Sequence, residues 1–217
     1  MEMRSVGLRR FVLMILLLGA WGASAQAARG QQAAAPEPKA SELKAVVYTG
    51  DMANLLNRLA EAYGVVIGFE AEAARPRPAV NINVRDASVR DVLDAVVRAR
   101  PEYRWRQAGD FFDVYPAGGA CALLDTQVGV FQLSASRWAE AADALLNLPE
   151  VQSRVSALSL TRRETGRDAN ASGGEVFSLH LERVPVRAAL HEMTKRSGGH
   201  FWAFRRDGGN SFSLGNN

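Results

Sequence analysis

The side chains with the most chemical reach in this 217-residue chain are three histidines, His180, His191 and His200, and one cysteine, Cys121. His191-Glu192 begins like the H-E-x-x-H zinc signature, in which two histidines on one helix face bind the metal and the glutamate acts as base. Lys195 stands where the second histidine is needed. His180 falls on the polar side of an alternating stretch, His191 on the outward side of a helical one, and His200 opens a terminal hairpin. The three therefore read as solvated surface residues, not as ligands converging on one ion. Cys121 lies in "PAGGACALL", with no neighbouring base and no second thiol for an internal disulfide. It reads as a small, partly buried thiol in a connector. There is no G-x-S-x-G nucleophile elbow. The glycines of "SGG" and "DGG" precede no Lys-Ser/Thr, so they are turn residues and not a phosphate loop. No catalytic, cofactor-binding or metal-binding residue is expected.

The elements that would have to position such residues begin after an address. Arg4, Arg9 and Arg10 precede an apolar run from Phe11 to Leu18, and small residues at Ala23 and Ala25 end it. This layout predicts a secretory signal peptide over 1–25, cleaved after Ala25 or Ala27, with export to a periplasm. The alternative is an uncleaved anchor, but the apolar run is well short of the roughly 20 residues that span a bilayer. Without residues 1–25 the chain keeps 23 basic and 22 acidic side chains, a net charge of +1. The short clusters "TRRE" and "FRRD" are each flanked by acid, so the basic footprint of a nucleic-acid binder is missing. Residues 26–42, rich in Ala, Gln and Pro, read as a flexible linker.

From residue 43 the pattern is regular. "LKAVVY" is a strand, Asp51 a helix N-cap, and Met52, Leu55, Leu56, Leu59 and Tyr63 are one face of a helix that Gly64 ends. "VVIGF" is a short strand. Val80, Ile82 and Val84 alternate with polar residues, and Ser88 with Asp91 caps a helix whose face is Val89, Val92, Leu93, Val96 and Val97. "YRWRQAGDFFDVY" closes the unit as a hairpin. The order β-α-β-β-α-β-β over 43–116 predicts a small α+β domain.

A connector over 117–127 leads to a second unit over 128–217, related to the first by an offset of 97. Phe177, Leu179 and Leu181 answer to Val80, Ile82 and Val84. Val186, Ala189, Leu190 and Met193 answer to Val89, Val92, Leu93 and Val96, while Arg187 and Trp202 fall on Arg90 and Trp105. Two alike βαβ units meeting by accident is one explanation; tandem duplication accounts for the sustained register. In its front half, Trp138, Ala141, Ala142, Leu145 and Leu146 form a helix face ended by Pro149, "RVSALSLT" offers a strand, and 162–174 reads as a mobile loop. The terminal "SFSL" is expected to be an outer strand.

Leu56-Leu59-Ala60, Gly64, the Ala87-Ser88-Val89 junction and Tyr103-Arg104-Trp105 resemble the secretin and TonB short N-terminal (STN) domain family, over about 43–116 with a looser second copy over about 130–215. The resemblance implies a non-catalytic periplasmic module associated with the outer membrane. It would bind an envelope protein: a secretin, a pilus or secretion component, or a TonB-type receptor or regulator. Members precede outer-membrane pores, whereas no run of alternating membrane strands follows here. No membrane span is expected after signal cleavage. The alternative is a small exported enzyme or ligand-binding protein with a site between the two copies, for which convergent His180, His200 or Glu192 in a polar cleft would speak.

Overall fold

A computed structural model describes residues 44–72, 79–163, 174–207 and 210–216. The expected signal peptide and linker lie outside these residues, as does most of the expected loop 162–174. Among the described residues the chain is mixed α and β, with five helices and ten strands.

The first half follows its local signals closely. Strand β1 (Lys44–Asp51) runs into helix α1 (Met52–Tyr63), where the Asp51 carboxylate accepts from Asn54 N–H at 3.1 Å. Gly64 ends α1 in the left-handed region at φ 63°, where a side chain would be strained. Strands β2 (Val66–Glu72) and β3 (Ala79–Ala87) follow. Ser88 and Asp91 form the reciprocal capping box of α2 (Val89–Ala99), which leads to the hairpin of β4 (Tyr103–Ala108) and β5 (Phe111–Pro116).

The second half has β6 (Gln127–Ser136), α3 (Trp138–Leu146), α4 (Pro149–Ala157) and β7 (Thr161–Arg162), then β8 (Phe177–Pro185), α5 (Val186–Arg196), β9 (Phe201–Arg206) and β10 (Ser211–Asn216). Two expectations are corrected here. Pro149 does not merely end α3: it starts α4, because proline at a first helical position loses only an N–H that has no partner anyway. The helix takes in "RVSA", the first half of the stretch "RVSALSLT" expected as strand, and buries Val151. The terminal strand β10 is not an outer strand, since β9 pairs with it on one side and β7 on the other.

Strands β1 and β3 pair as an antiparallel ribbon, and so do β6 and β8. The remaining six form one sheet in the order β4-β5-β2-β9-β10-β7. Its centre is the parallel pair β2–β9, which joins the two halves from Ile67 opposite Phe201 to Glu72 opposite Arg206. Successive side chains in these strands point to opposite faces. Ile67, Phe69, Phe112, Val114, Phe201 and Ala203 enter one core with α1 and α2. Val66, Trp202, Phe204, Phe212 and Leu214 enter a second core with α3 and α5. The helices of each half thus cover opposite faces of a shared sheet.

Candidate functional site: the junction of the two halves

The β2–β9 pairing works because β2 carries a glycine where β9 carries its largest side chain. Gly68 lies opposite Trp202, and a Cβ on Gly68 would sit 2.3 Å from Trp202 Cζ2. Trp202 is wholly buried there. This flat contact lets α5 lie over the strands of the other half, and a polar cluster forms beneath it.

Arg187, on the first turn of α5 and 4% exposed, points at Glu70 of β2 with Nη1 2.6 Å from Oε1, a close ion pair in which neither atom has an aligned hydrogen bond. Its Nε and Nη2 donate to Asp125 Oδ1, each at 3.2 Å. One turn on, His191 is 2% exposed and its Nε2 lies 2.8 Å from Oδ1 of Asp113 on β5, itself 1% exposed. The Trp202 indole N–H donates to His191 Nδ1 at 3.2 Å. An indole can only donate, so Nδ1 is the acceptor of this bond and Nε2 faces Asp113. Phe111 stacks on the imidazole with centroids 4.6 Å apart, and Arg106 Nε donates to Asp113 Oδ2 at 3.2 Å.

The electrostatics follow from burial set against pairing. Burial would raise the Asp113 carboxyl, but the hydrogen bond from His191 and the guanidiniums of Arg187 and Arg106 outweigh it and hold the group below the usual aspartate value. For Glu70, burial wins over Arg187 and the Cys121 amide, and the carboxyl is raised. Burial disfavours the charged Arg187, yet Glu70, Asp113 and Asp125 more than offset it and keep the guanidinium charged. The two partners of the Glu70–Arg187 pair thus shift in ways that favour the neutral acid and the charged base. Arg187, whose charge several carboxylates share, is the fixed charge of the cluster.

The histidines separate. His191 was expected on the outward face of its helix and is instead buried: the strands of the first half cover the side of α5 that its own half leaves open. His180 is exposed and 3.1 Å from Glu182, as the alternation predicted. His200 lies just before β9 and uses its backbone carbonyl to accept from Ile67 N–H at 2.9 Å. Glu192 is half-buried, and no contact brings it to the other histidines. Among the described residues no group of three or more His, Cys, Asp or Glu is placed to hold a metal. Cys121 is half-buried, its amide donates to Glu70 Oε2 at 2.6 Å, and burial pushes its thiol up. Sequence reasoning passed over Glu70 and Asp113, although each is an acid inside an otherwise apolar strand, which was the available signal.

Beside the cluster, a groove of about 710 Å³ runs between the halves, lined among others by Glu70, Cys121, Leu160, Phe204 and Arg206. Among the described residues no helix is long and apolar enough to cross a membrane. No protein-family model and no curated protein matches the sequence.

Proposed function

We propose that the protein is an exported, non-catalytic interaction module of the periplasm, built from two STN-like units that arose by tandem duplication. It acts by binding an envelope protein of a secretin or TonB-type system. Several details support duplication. Asp86 and Arg183 both sit at positive φ, 46° and 53°, an uncommon conformation for residues other than glycine, and they are 97 apart. Each hairpin tryptophan donates its indole N–H to the helix residue at the same offset, Trp105 to Asp94 and Trp202 to His191. The strand order β4-β5-β2 recurs as β9-β10-β7.

One observation carries the non-catalytic reading: the Asp113–His191 pair has the make-up of a general base, but its basic nitrogen is spent on Trp202. A histidine whose Nδ1 accepts an indole proton and whose Nε2 proton is held by aspartate has no lone pair to offer a nucleophile. Both residues are also closed to solvent. The test compares the wild-type protein with the His180→Ala/His200→Ala double variant in cells, using crosslinking to the envelope partner together with a functional readout. Unchanged crosslinking and unchanged function are expected. Loss of function with folding and crosslinking intact would point to chemistry instead.

A second reading keeps a small ligand in the groove between the halves, favoured by Glu70 and Cys121 lining it. It predicts that Cys121→Trp, which fills the groove, abolishes function while partner crosslinking survives.

A further inference from the structure

The internal joint of this molecule is heterologous. Strand β2 of the first unit docks on the edge of β9, and the strand equivalent to β9 in the first unit, β4, has no neighbour on that side among the described residues. The equivalence extends to the backbone. Ile67 N–H meets His200 C=O in the parallel ladder, which turns the amides of Trp202 and Phe204 toward β2. In the first unit Ala117 N–H meets Glu102 C=O, so residues 104 and 106 pair with β5 and the groups of Trp105 and Gln107 point to the open edge. The side chains match too. Trp105 stands where Trp202 stands, tied to α2 through Asp94 as Trp202 is tied to α5 and packed on Phe112, but it is only half-buried, and among the described residues no strand pairs beside it. Arg90 stands where Arg187 stands, exposed and donating to Gln107.

We propose that the β4 edge accepts an extended acidic segment of a partner protein. The segment adds parallel to β4, with a glycine against Trp105 and a carboxylate two residues later on Arg90. This rests on the reading of the protein as an interaction module. The internal joint supplies the recognition pattern: Gly68 makes room for Trp202, and Glu70, two residues on, reaches Arg187. Arg90 and Arg104 are exposed beside the edge, and the one acid at the indole, Asp94, already accepts from Trp105. Arg104 itself covers the Tyr103 carbonyl, donating at 2.9 Å, which leaves the stretch from Trp105 to Gln107 for pairing. A second copy of this chain is a poor donor. Among the described residues its counterpart strand, β7, is Thr161–Arg162, followed by Arg163, and these arginines would face the arginines of β4.

The probe is a fluorescently labelled peptide with the sequence of residues 65–72, VVIGFEAE, titrated into the whole protein and followed by anisotropy. Saturable binding is expected. Arg90→Glu should weaken it about tenfold or more, because it sets like charges together. Arginine in place of the peptide's first glutamate should restore binding to that variant. Leucine in place of the peptide glycine should weaken binding to the wild type about tenfold or more, since no space exists beside the indole. Absence of binding overturns the proposal. So does binding indifferent to Arg90→Glu, which would mean exchange with β2 at β9 or simple apolar adhesion. If the peptide fails while the envelope partner still crosslinks, only the edge assignment falls; if both fail, the interaction-module reading falls with it.

Discussion

At the scale of single residues, the junction depends on one missing side chain and one buried acid. Gly68→Ala would drive a methyl to within 2.3 Å of an indole that is packed on every side. Overpacking of this kind costs about 1–3 kcal/mol, and denaturant unfolding should show a loss in the upper part of that range. Asp113→Asn removes the charge that Arg187 and Arg106 share and that His191 hydrogen-bonds. Breaking a buried pair by removing one partner costs about 3–5 kcal/mol, and a loss near 3 kcal/mol at neutral pH is expected because the amide still accepts from His191. The sign with pH is set by the lowered Asp113 carboxyl. Its stabilisation is complete above the unfolded aspartate value of about 3.9 and disappears as pH falls through the lower folded value. The wild type should therefore lose part of its stability between neutral pH and pH values below about 4, and Asp113→Asn should lose less. An equally steep acid limb in the variant would show that Asp113 is not the titrating group.

At the scale of elements, α2 and α5 show how one pattern gives two different helices. Val92 and Ala189 are wholly buried at equivalent positions, so Val92→Asp and Ala189→Asp each place an unpaired charge in a core and should cost several kcal/mol, about 3 or more, or prevent folding. The outward positions differ. Asp94 is exposed and accepts from Trp105, so Asp94→Lys loses one surface hydrogen bond, about 1 kcal/mol. His191→Lys would bury an ammonium against Trp202 and should be as damaging as the core changes. Thermal unfolding of the four variants checks the asymmetry; a mild His191→Lys would mean that α5 does not lie over β2 and β5. The second helix face of α5 was invisible from its own amphipathic pattern because the surface that covers it comes from another part of the chain.

At the scale of the whole molecule, the two halves are joined through one sheet. Trp202 and Phe204 belong to one core, while Phe201 and Ala203 of the same strand belong to the other. Neither core is complete without a strand from the opposite half. A single cooperative transition is therefore expected, with near-ultraviolet circular dichroism, which reports the aromatic junction, and far-ultraviolet signal sharing one midpoint. Two separated midpoints would show that the halves unfold independently.

What the sequence alone determined is what neighbours along the chain determine. The Asp51 and Ser88 caps, the Gly64 stop and the apolar faces of α1, α2 and α3 were all legible, because capping and periodicity act within one or two turns. The α+β class follows from the same patterns. Pro149 shows the limit of even local signals, since one residue type both stops and starts helices and only its surroundings decide which. Tertiary structure alone decided that β2 pairs with β9, that His191, Arg187 and Asp113 are buried together, and that β4 and not β10 is left open. Pairing of distant strands is written in complementary shape, a glycine on one and a tryptophan on the other, and such complementarity has no period along the chain. A polar residue is solvated or buried according to what finally covers it, and for α5 the cover arrives from the other half of the molecule.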